Sequence, residues 1–162
     1  MNSKIVNAEE LAAISENLRA AGKKLVATNG CFDLLHVGHV RYLKAARELG
    51  DALVVGINGD ASVKALKGKD RPLNGEHDRA EIVAALESVD HVTIFPEERA
   101  SRFLEKARPA VYVKGGDYQT GTLNTEERAV LEKISAEIRI LPFEAGYSTT
   151  ALIKRLEKSC TE

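Results

Sequence analysis

The stretch TNGCFDLLHVGHVRYL, residues 28–43, decides how the chain is read, because an apolar run ends there in a glycine turn and an amphipathic run begins with two histidines three residues apart. Upstream, KLVATN (24–29) has the apolar, β-rich character of a strand buried on both faces. Downstream, residues 38–49 carry the spacing of a helix with one apolar face. The first N–H groups of such a helix have no partner within it and together carry about half a positive charge, so an anion is the natural occupant of the turn. His36 and His39, at i and i+3, share a helix face and can both point at that anion, while Gly38 leaves the backbone open to close approach.

The same alternation runs on through the chain. DALVVGI (51–57), HVTIF (91–95), AVYVKG (110–115) and AEIRILP (136–142) are further short strands, and amphipathic segments lie at 8–21, 60–66, 76–88, 99–107, 124–135 and 148–158. Strand and helix in turn predict a Rossmann-like, doubly wound α/β fold on a five-stranded parallel sheet, with right-handed crossovers. Asn124 followed by Glu127 has the spacing of a helix N-cap with a reciprocal acid. With 162 residues, 44% of them apolar and 29% charged, the chain suits one domain spanning 1–162.

A net charge of −1 gives no general attraction to nucleic acid or to an anionic membrane, so an anion site has to be built from local basic residues. No apolar stretch approaches the roughly 18 residues of a membrane span, and MNSKIVNAEELAAI lacks the basic-then-apolar form of a secretory signal. The expectation is a cytoplasmic protein with neither a membrane nor a nucleic-acid partner. Cys31 and Cys160 lie far apart and form no CxxC, which argues against a disulfide framework or a zinc site and makes Cys31 a small structural residue of the glycine turn. Histidines at i and i+3 without clear carboxylate ligands do not favour a metal site, and the chain has neither GxxxxGK[ST] nor GxGxxG, which weakens a kinase or dehydrogenase reading.

On TNGCFDLLHVGHVRYLKAARELGD (28–51) the chain resembles the cytidylyltransferase-like nucleotidyltransferases and their HxGH signature, within the same broad superfamily as class I aminoacyl-tRNA synthetases. VVGINGDASVKALKGKDRPLN, DRAEIVAALESVDHV, YVKGGDY and LPFEAGYSTTALIKRL follow in the order and approximate spacing of the D-glycero-β-D-manno-heptose 1-phosphate adenylyltransferases. The resemblance covers residues 24–157, and five blocks in order are far more specific than HxGH alone. It implies transfer of AMP from ATP to a sugar 1-phosphate with Mg²⁺ bound mainly through ATP phosphates and water, giving ADP-heptose for lipopolysaccharide core precursors. It also implies a homodimer. Members of that family are often fused to a sugar kinase, and these residues match the adenylyltransferase half, so a separate kinase is expected to supply the sugar 1-phosphate.

Such chemistry needs charge handled rather than a general base, since the attacking phosphate is mostly ionised at neutral pH. His36 and His39 are then the donors to the triphosphate. Lys64, Lys67, Lys69 and Arg71, within eight residues and opposed only by Asp70, suit a flap over residues 64–71 that folds its cations over phosphates, with Lys69 foremost. The resemblance gives Arg79 a substrate phosphate, the alternative being an ion pair with Glu76 or Glu81. It gives the nucleotide the turn Asn29, Gly30, Cys31 and Phe32 with Gly38, then Lys114, Gly115 and Gly116, whose backbone can read a base edge beside Asp117. GYSTT leads into the last helix and places Tyr147, Ser148, Thr149 and Thr150 at a second free N-terminus, where Ser148 also serves as a plain N-cap. Asp33, Asn58 and Asp60, at the carboxyl ends of the first two strands, can bond sugar hydroxyls or orient the water around Mg²⁺; Asp60 can equally cap helix 60–66.

Two other functions fit parts of the pattern. A cytidylyltransferase acting on glycerol 3-phosphate or phosphoethanolamine shares HxGH and STT, but TNGCFDLLH and VKGGDY favour the heptose enzyme over the GTFD and GDD-like forms. A non-catalytic nucleotide sensor need not keep both histidines, the basic loop and STT.

Overall fold

In a computed structural model, which describes residues 3–116, 123–142, 147 and 149–159, the strongly apolar runs become the strands of one parallel sheet. These are β1 (Leu25–Gly30), β2 (Ala52–Asn58), β3 (His91–Phe95), β4 (Val111–Gly115) and β5 (Glu137–Leu141), in the order β3-β2-β1-β4-β5. The helices are α1 (Ala8–Ala20), α2 (Val37–Arg47), α3 (Asp60–Lys67), α4 (Glu76–Ala84), α5 (Ser101–Ala107), α6 (Thr125–Lys133) and α7 (Thr149–Ser159). All seven residues of β2 are buried, as befits a strand covered on both faces.

The strands alternate their side chains between two cores. Val26, Leu53, Val55 and Ile57 pack with Leu43 and Ala46 of α2 and Ala80, Val83 and Ala84 of α4. Leu25, Ala27, Val54 and Tyr112 pack on the opposite face with Leu11 of α1, Phe103, Leu104 and Ala107 of α5 and Leu131 of α6. Full burial of each such aliphatic side chain contributes about 1.5–3 kcal/mol, enough to fix the register of every strand.

Three local features depart from the sequence pattern. Asn124 caps α6 by accepting the N–H groups of Glu126 and Glu127, but the Glu127 carboxylate does not return the bond and instead takes the Ala100 N–H at the start of α5. Helix α4 stops at Ala84 rather than 88, tightened by bonds from Leu86 N to Val83 O and Val89 N to Leu86 O. Residues 64–67 belong to α3 and not to a flap, which begins only at Gly68, with φ +106°.

Candidate active site

The chain winds from β1 to β2 and β3 in one direction along the sheet and reaches β4 and β5 in the other, so strand order reverses between β1 and β4. Ligands of such sheets bind at that reversal, outside the carboxyl ends of the strands. A cavity of about 630 Å³ opens there, a size suited to a small molecule. Residues 29–33 after β1 form its floor, His39 and Tyr42 of α2 one wall, and Asn58, Lys67 and Arg71 a second. The third wall is made by Lys114 and Gly115 of β4 with Glu98, Arg99, Leu123, Asn124 and Glu127, and Thr149 closes in from α7.

The two histidines are brought together at the free end of α2. His36 is its N-cap, in extended conformation, and the rings of His36 and His39 stack with centroids 3.9 Å apart. Gly38 makes this possible: a Cβ there would lie 2.9 Å from His36 Nδ1 and 3.1 Å from the Tyr147 Cβ. The His36 N–H reaches His39 Nδ1 at 3.4 Å, which leaves the proton of a neutral His39 on Nε2. Burial lowers the basicity of both rings, and burial together with the adjacent His36 takes the His39 pKa down to about 4. Both are neutral at pH 7, so the pair offers N–H donors and not fixed positive charge. His36 Nδ1 is buried and has no hydrogen-bond partner among the described residues, and such an atom beside a helix N-terminus is what a ligand completes. Phe32, at φ +46°, tilts against His39 at 5.3 Å. A bulky residue held in the left-handed region is strained, and here that strain backs the imidazole.

The basic residues after β2 are sorted sharply. Lys67 lines the cavity. Lys69 is exposed and lies outside the residues that line it, as does Lys64. Arg71 lines the cavity, but its Nε sits 2.5 Å from Asp33 Oδ2. Asp33, expected on the sugar, also accepts the N–H groups of Leu73 and Asn74, so its carboxylate latches the loop to β1. These bonds hold its pKa below the ordinary carboxylate value against the opposing effect of burial.

Arg79 corrects the expectation most plainly. Its side chain is fully buried and donates to Asn74 O, Cys31 O, Asn58 O and Asp60 Oδ1 at 2.5–2.9 Å. No face is left for a phosphate, and the ion pair is with Asp60 rather than with Glu76 or Glu81. Asp60 therefore neither faces the cavity nor caps α3, whose N-cap is Gly59.

On the β4 side, Gly115 lines the cavity, whereas Gly116, at φ +100°, gives its N–H to Leu141 O and has none to offer a base edge. Thr149 bonds Leu34 O, Thr150 is exposed and outside the lining, and Tyr147 lies 6.4 Å from His36, centroid to centroid. Asp117 and Ser148 lie outside the described residues.

Sequence reasoning missed Tyr42 and the Glu127 network. Tyr42 is one turn beyond His39; its hydroxyl sits 2.7 Å from Thr28 Oγ1 and donates to Val113 O, tying β1 to β4 behind the cavity, and burial pushes its pKa up to about 12. The i+3 step from His39 was the signal available. Asn29 Oδ1 accepts from both the Tyr112 hydroxyl (2.6 Å) and Lys114 Nζ (3.2 Å), and no local spacing announces this contact across 83 residues.

With this geometry in hand, comparison with known proteins gives the chain a family. A family model described as cytidylyltransferase-like matches residues 27–155. The chain belongs to the cytidylyltransferase-like family. It is a nucleotidyltransferase by that membership. Among curated relatives, "Bifunctional protein HldE" of a Nitratiruptor species is 49% identical over 152 residues, covering 94% of this chain and 31% of the relative. The HldE of Geotalea uraniireducens is 50% identical over 155 residues, 96% of this chain and 31% of the relative. The chain thus spans about a third of the length of these relatives. A solved lipopolysaccharide core biosynthesis protein from Thermoplasma volcanium aligns with TM-score 0.61 and 27% identity, over 76% of this chain and 98% of that one. A pantoate-beta-alanine ligase from Francisella tularensis, at 15% identity and TM-score 0.60 over 93% of this chain and 72% of its own, shares the fold. No helix among the described residues is long and apolar enough to cross a membrane.

Proposed function

We propose that this family member transfers AMP from ATP to D-glycero-β-D-manno-heptose 1-phosphate, releasing pyrophosphate and ADP-heptose in the cytoplasm as a precursor of the lipopolysaccharide core. The observation that carries the reading is the stacked, neutral histidine pair at the N-terminus of α2, of which His39 lines the cavity at the strand reversal. The HldE relatives and the lipopolysaccharide core biosynthesis protein support heptose as the sugar.

In the reaction, an oxygen of the sugar phosphate attacks the α-phosphorus of ATP. The bond from that phosphorus to the bridging oxygen breaks, and pyrophosphate departs with its electron pair. The nucleophile is already ionised, so the protein's work is to hold two anions in line and to stabilise the charge that spreads over the transferring group. His39 Nε2–H and His36 supply donors, and the end of α2 adds its N–H groups. A neutral imidazole suits this work, because it donates without presenting a proton that the phosphates would take. Lys67 and Arg71 from one wall and Lys114 from the other neutralise substrate phosphates, with Asn29, Gly30, Cys31, Phe32, Gly115 and Thr149 forming the nucleotide's bed and Asn58 the sugar's.

Nucleotidyltransferases of this kind typically use a divalent cation. On this reading the cation is Mg²⁺, which would be carried by triphosphate oxygens and water and would supply charge neutralisation there. On this reading residues 1–162 form one nucleotidyltransferase domain, with its motif-bearing core at 24–157, working as a homodimer on a sugar 1-phosphate that a sugar kinase supplies.

The test is pyrophosphate release with ATP, CTP and GTP crossed against the heptose 1-phosphate, glycerol 3-phosphate and phosphoethanolamine. Release confined to ATP with the heptose phosphate is the expected result. Release from CTP with glycerol 3-phosphate, and none from ATP with the heptose phosphate, would instead make the chain a cytidylyltransferase of the same site.

A further inference from the structure

The wall formed by β4 and α6 holds a buried ion pair of which the site as described uses the lysine and leaves the carboxylate without a role. Lys114 and Glu127 have side chains only 16% and 7% exposed, and their charged atoms lie 3.9 Å apart. The two carboxylate oxygens divide their work. Oε1 accepts the Ala100 N–H at 2.8 Å, closing the start of α5, while Oε2 faces Lys114 Nζ. The positive end of α5 favours a carboxylate there, but a neutral side chain of the same shape could accept the same N–H, so the cap alone does not require the charge. Lys114 Nζ donates to Asn29 Oδ1 at 3.2 Å, lies 5.5 Å from the Tyr112 ring centroid, and with Asn29 and Glu127 lines the cavity. A buried ammonium tends to lose its proton, and a carboxylate a few ångströms away is the standard counterweight.

We propose that Glu127 is a positioning residue: from the first turn of α6 it keeps Lys114 an ammonium in the cavity wall, where Lys114 binds a phosphate group of a substrate. The inference rests on reading the cavity as the nucleotidyl-transfer site. Burial lowers the Lys114 pKa, and among the described residues Glu127 does most to raise it, followed by Cys31. Among the described residues, Asn29 from β1 and Tyr112 from its own strand also lie near the ammonium, and Tyr42, Glu98 and Arg99 line the same cavity. Burial pushes the Cys31 thiol up and the Tyr42 hydroxyl to about 12, so both are neutral at pH 7.

The bound phosphate belongs either to ATP or to the sugar 1-phosphate, and titrating each separately decides which. Calorimetric affinities for ATP and for D-glycero-β-D-manno-heptose 1-phosphate, taken from about pH 7 to 10.5, should show an alkaline loss of binding for one of them in the wild type. In Glu127→Gln, which can still accept the Ala100 N–H, that loss should begin about one pH unit lower with the melting temperature little changed. Lys114→Arg, which leaves Glu127 in place and keeps its charge at every accessible pH, should abolish the alkaline loss, and this arm stands even if Glu127→Gln does not fold. No alkaline loss with either ligand, the same loss in Lys114→Arg as in wild type, or a Glu127→Gln protein weakened equally at every pH would overturn the proposal. Failure of the wild type to release pyrophosphate from any substrate pair would defeat the catalytic reading alone, because the binding titrations are judged without turnover.

Discussion

The turn after β1 and the segment after β2 both carry residues suited to phosphate, and the structure treats them in opposite ways. After β1, the side chains do what their spacing suggests: His36 and His39 meet at 3.9 Å because the helix period and Gly38 bring them together. After β2, four cations that look alike in the sequence end in different places. Lys67 faces the cavity, Arg71 is latched to Asp33, Arg79 is sealed into the framework, and Lys69 is exposed outside the lining. A motif whose geometry is set within four residues can be read locally, whereas the fate of a cation depends on which carboxylate or carbonyl the fold brings to it from far along the chain.

The sharpest way to break this contrast is to remove each kind of residue. His39→Ala or His36→Ala should reduce kcat by about 10²–10³, the loss typical of one preorganised donor, with the fold intact. Near-normal turnover in both variants would remove the histidines from the chemistry. Arg79→Ala should instead strike stability, costing about 3 kcal/mol or more in urea unfolding, since four acceptors lose their donor in the interior. An Arg79→Ala protein of normal stability with a raised KM would restore the phosphate role that its burial denies.

Asp33→Asn tests the latch. The amide oxygen can still accept from Leu73 and Asn74 but loses its charge opposite Arg71, so stability should fall by about 1–2 kcal/mol. Trypsin should cut after Lys69 faster than in the wild type, while kcat changes less than in the histidine variants; the bond after Arg71 precedes Pro72 and resists the protease. Unchanged cleavage would mean that Asp33 does not restrain the loop.

A further effect, confined to acid conditions, is on stability. The folded-state pKa of His39, about 4, lies below its ordinary value of 6.5. Between those values the unfolded chain takes up a proton that the folded chain refuses, so stability is full above pH 6.5 and falls as the pH drops toward 4. Asp33, lowered from 3.8, adds a loss only below that range. Melting temperatures over this window should decline less steeply in His39→Gln than in the wild type, and equal slopes would show that the ring is not buried as described.

Much of the fold was legible because its signals are local and repeated. The five runs fell within a residue or so of the five strands: β2, covered on both faces, has no room for polar residues, while the edge strand β5 keeps Glu137 and Arg139 exposed in alternation with Ile138 and Ile140. Helix ends were less legible: nothing in 124–127 reveals that Glu127 leaves its own N-cap for Ala100, a choice made by the packing of α5 on α6. The same holds for the site. The turn, the histidines and the cavity-lining Asn29, Asn58, Lys67 and Lys114 could be named from the sequence, because strand ends converge at the reversal. Arg79 and Gly116 could not be placed, because their hydrogen bonds to Cys31, Asn58 and Leu141 join parts of the chain 21 to 48 residues apart in the first case and different strands in the second.

The most direct test of the account is an imidazole ¹⁵N NMR titration of His39 with and without saturating ATP. The account predicts a neutral ring protonated on Nε2 at pH 7, a pKa of about 4 in the free protein, and a rise in that pKa once triphosphate oxygens lie against the ring. A free-protein pKa near 6.5, or one that ATP leaves unmoved, would contradict the placement of His39 on the nucleotide.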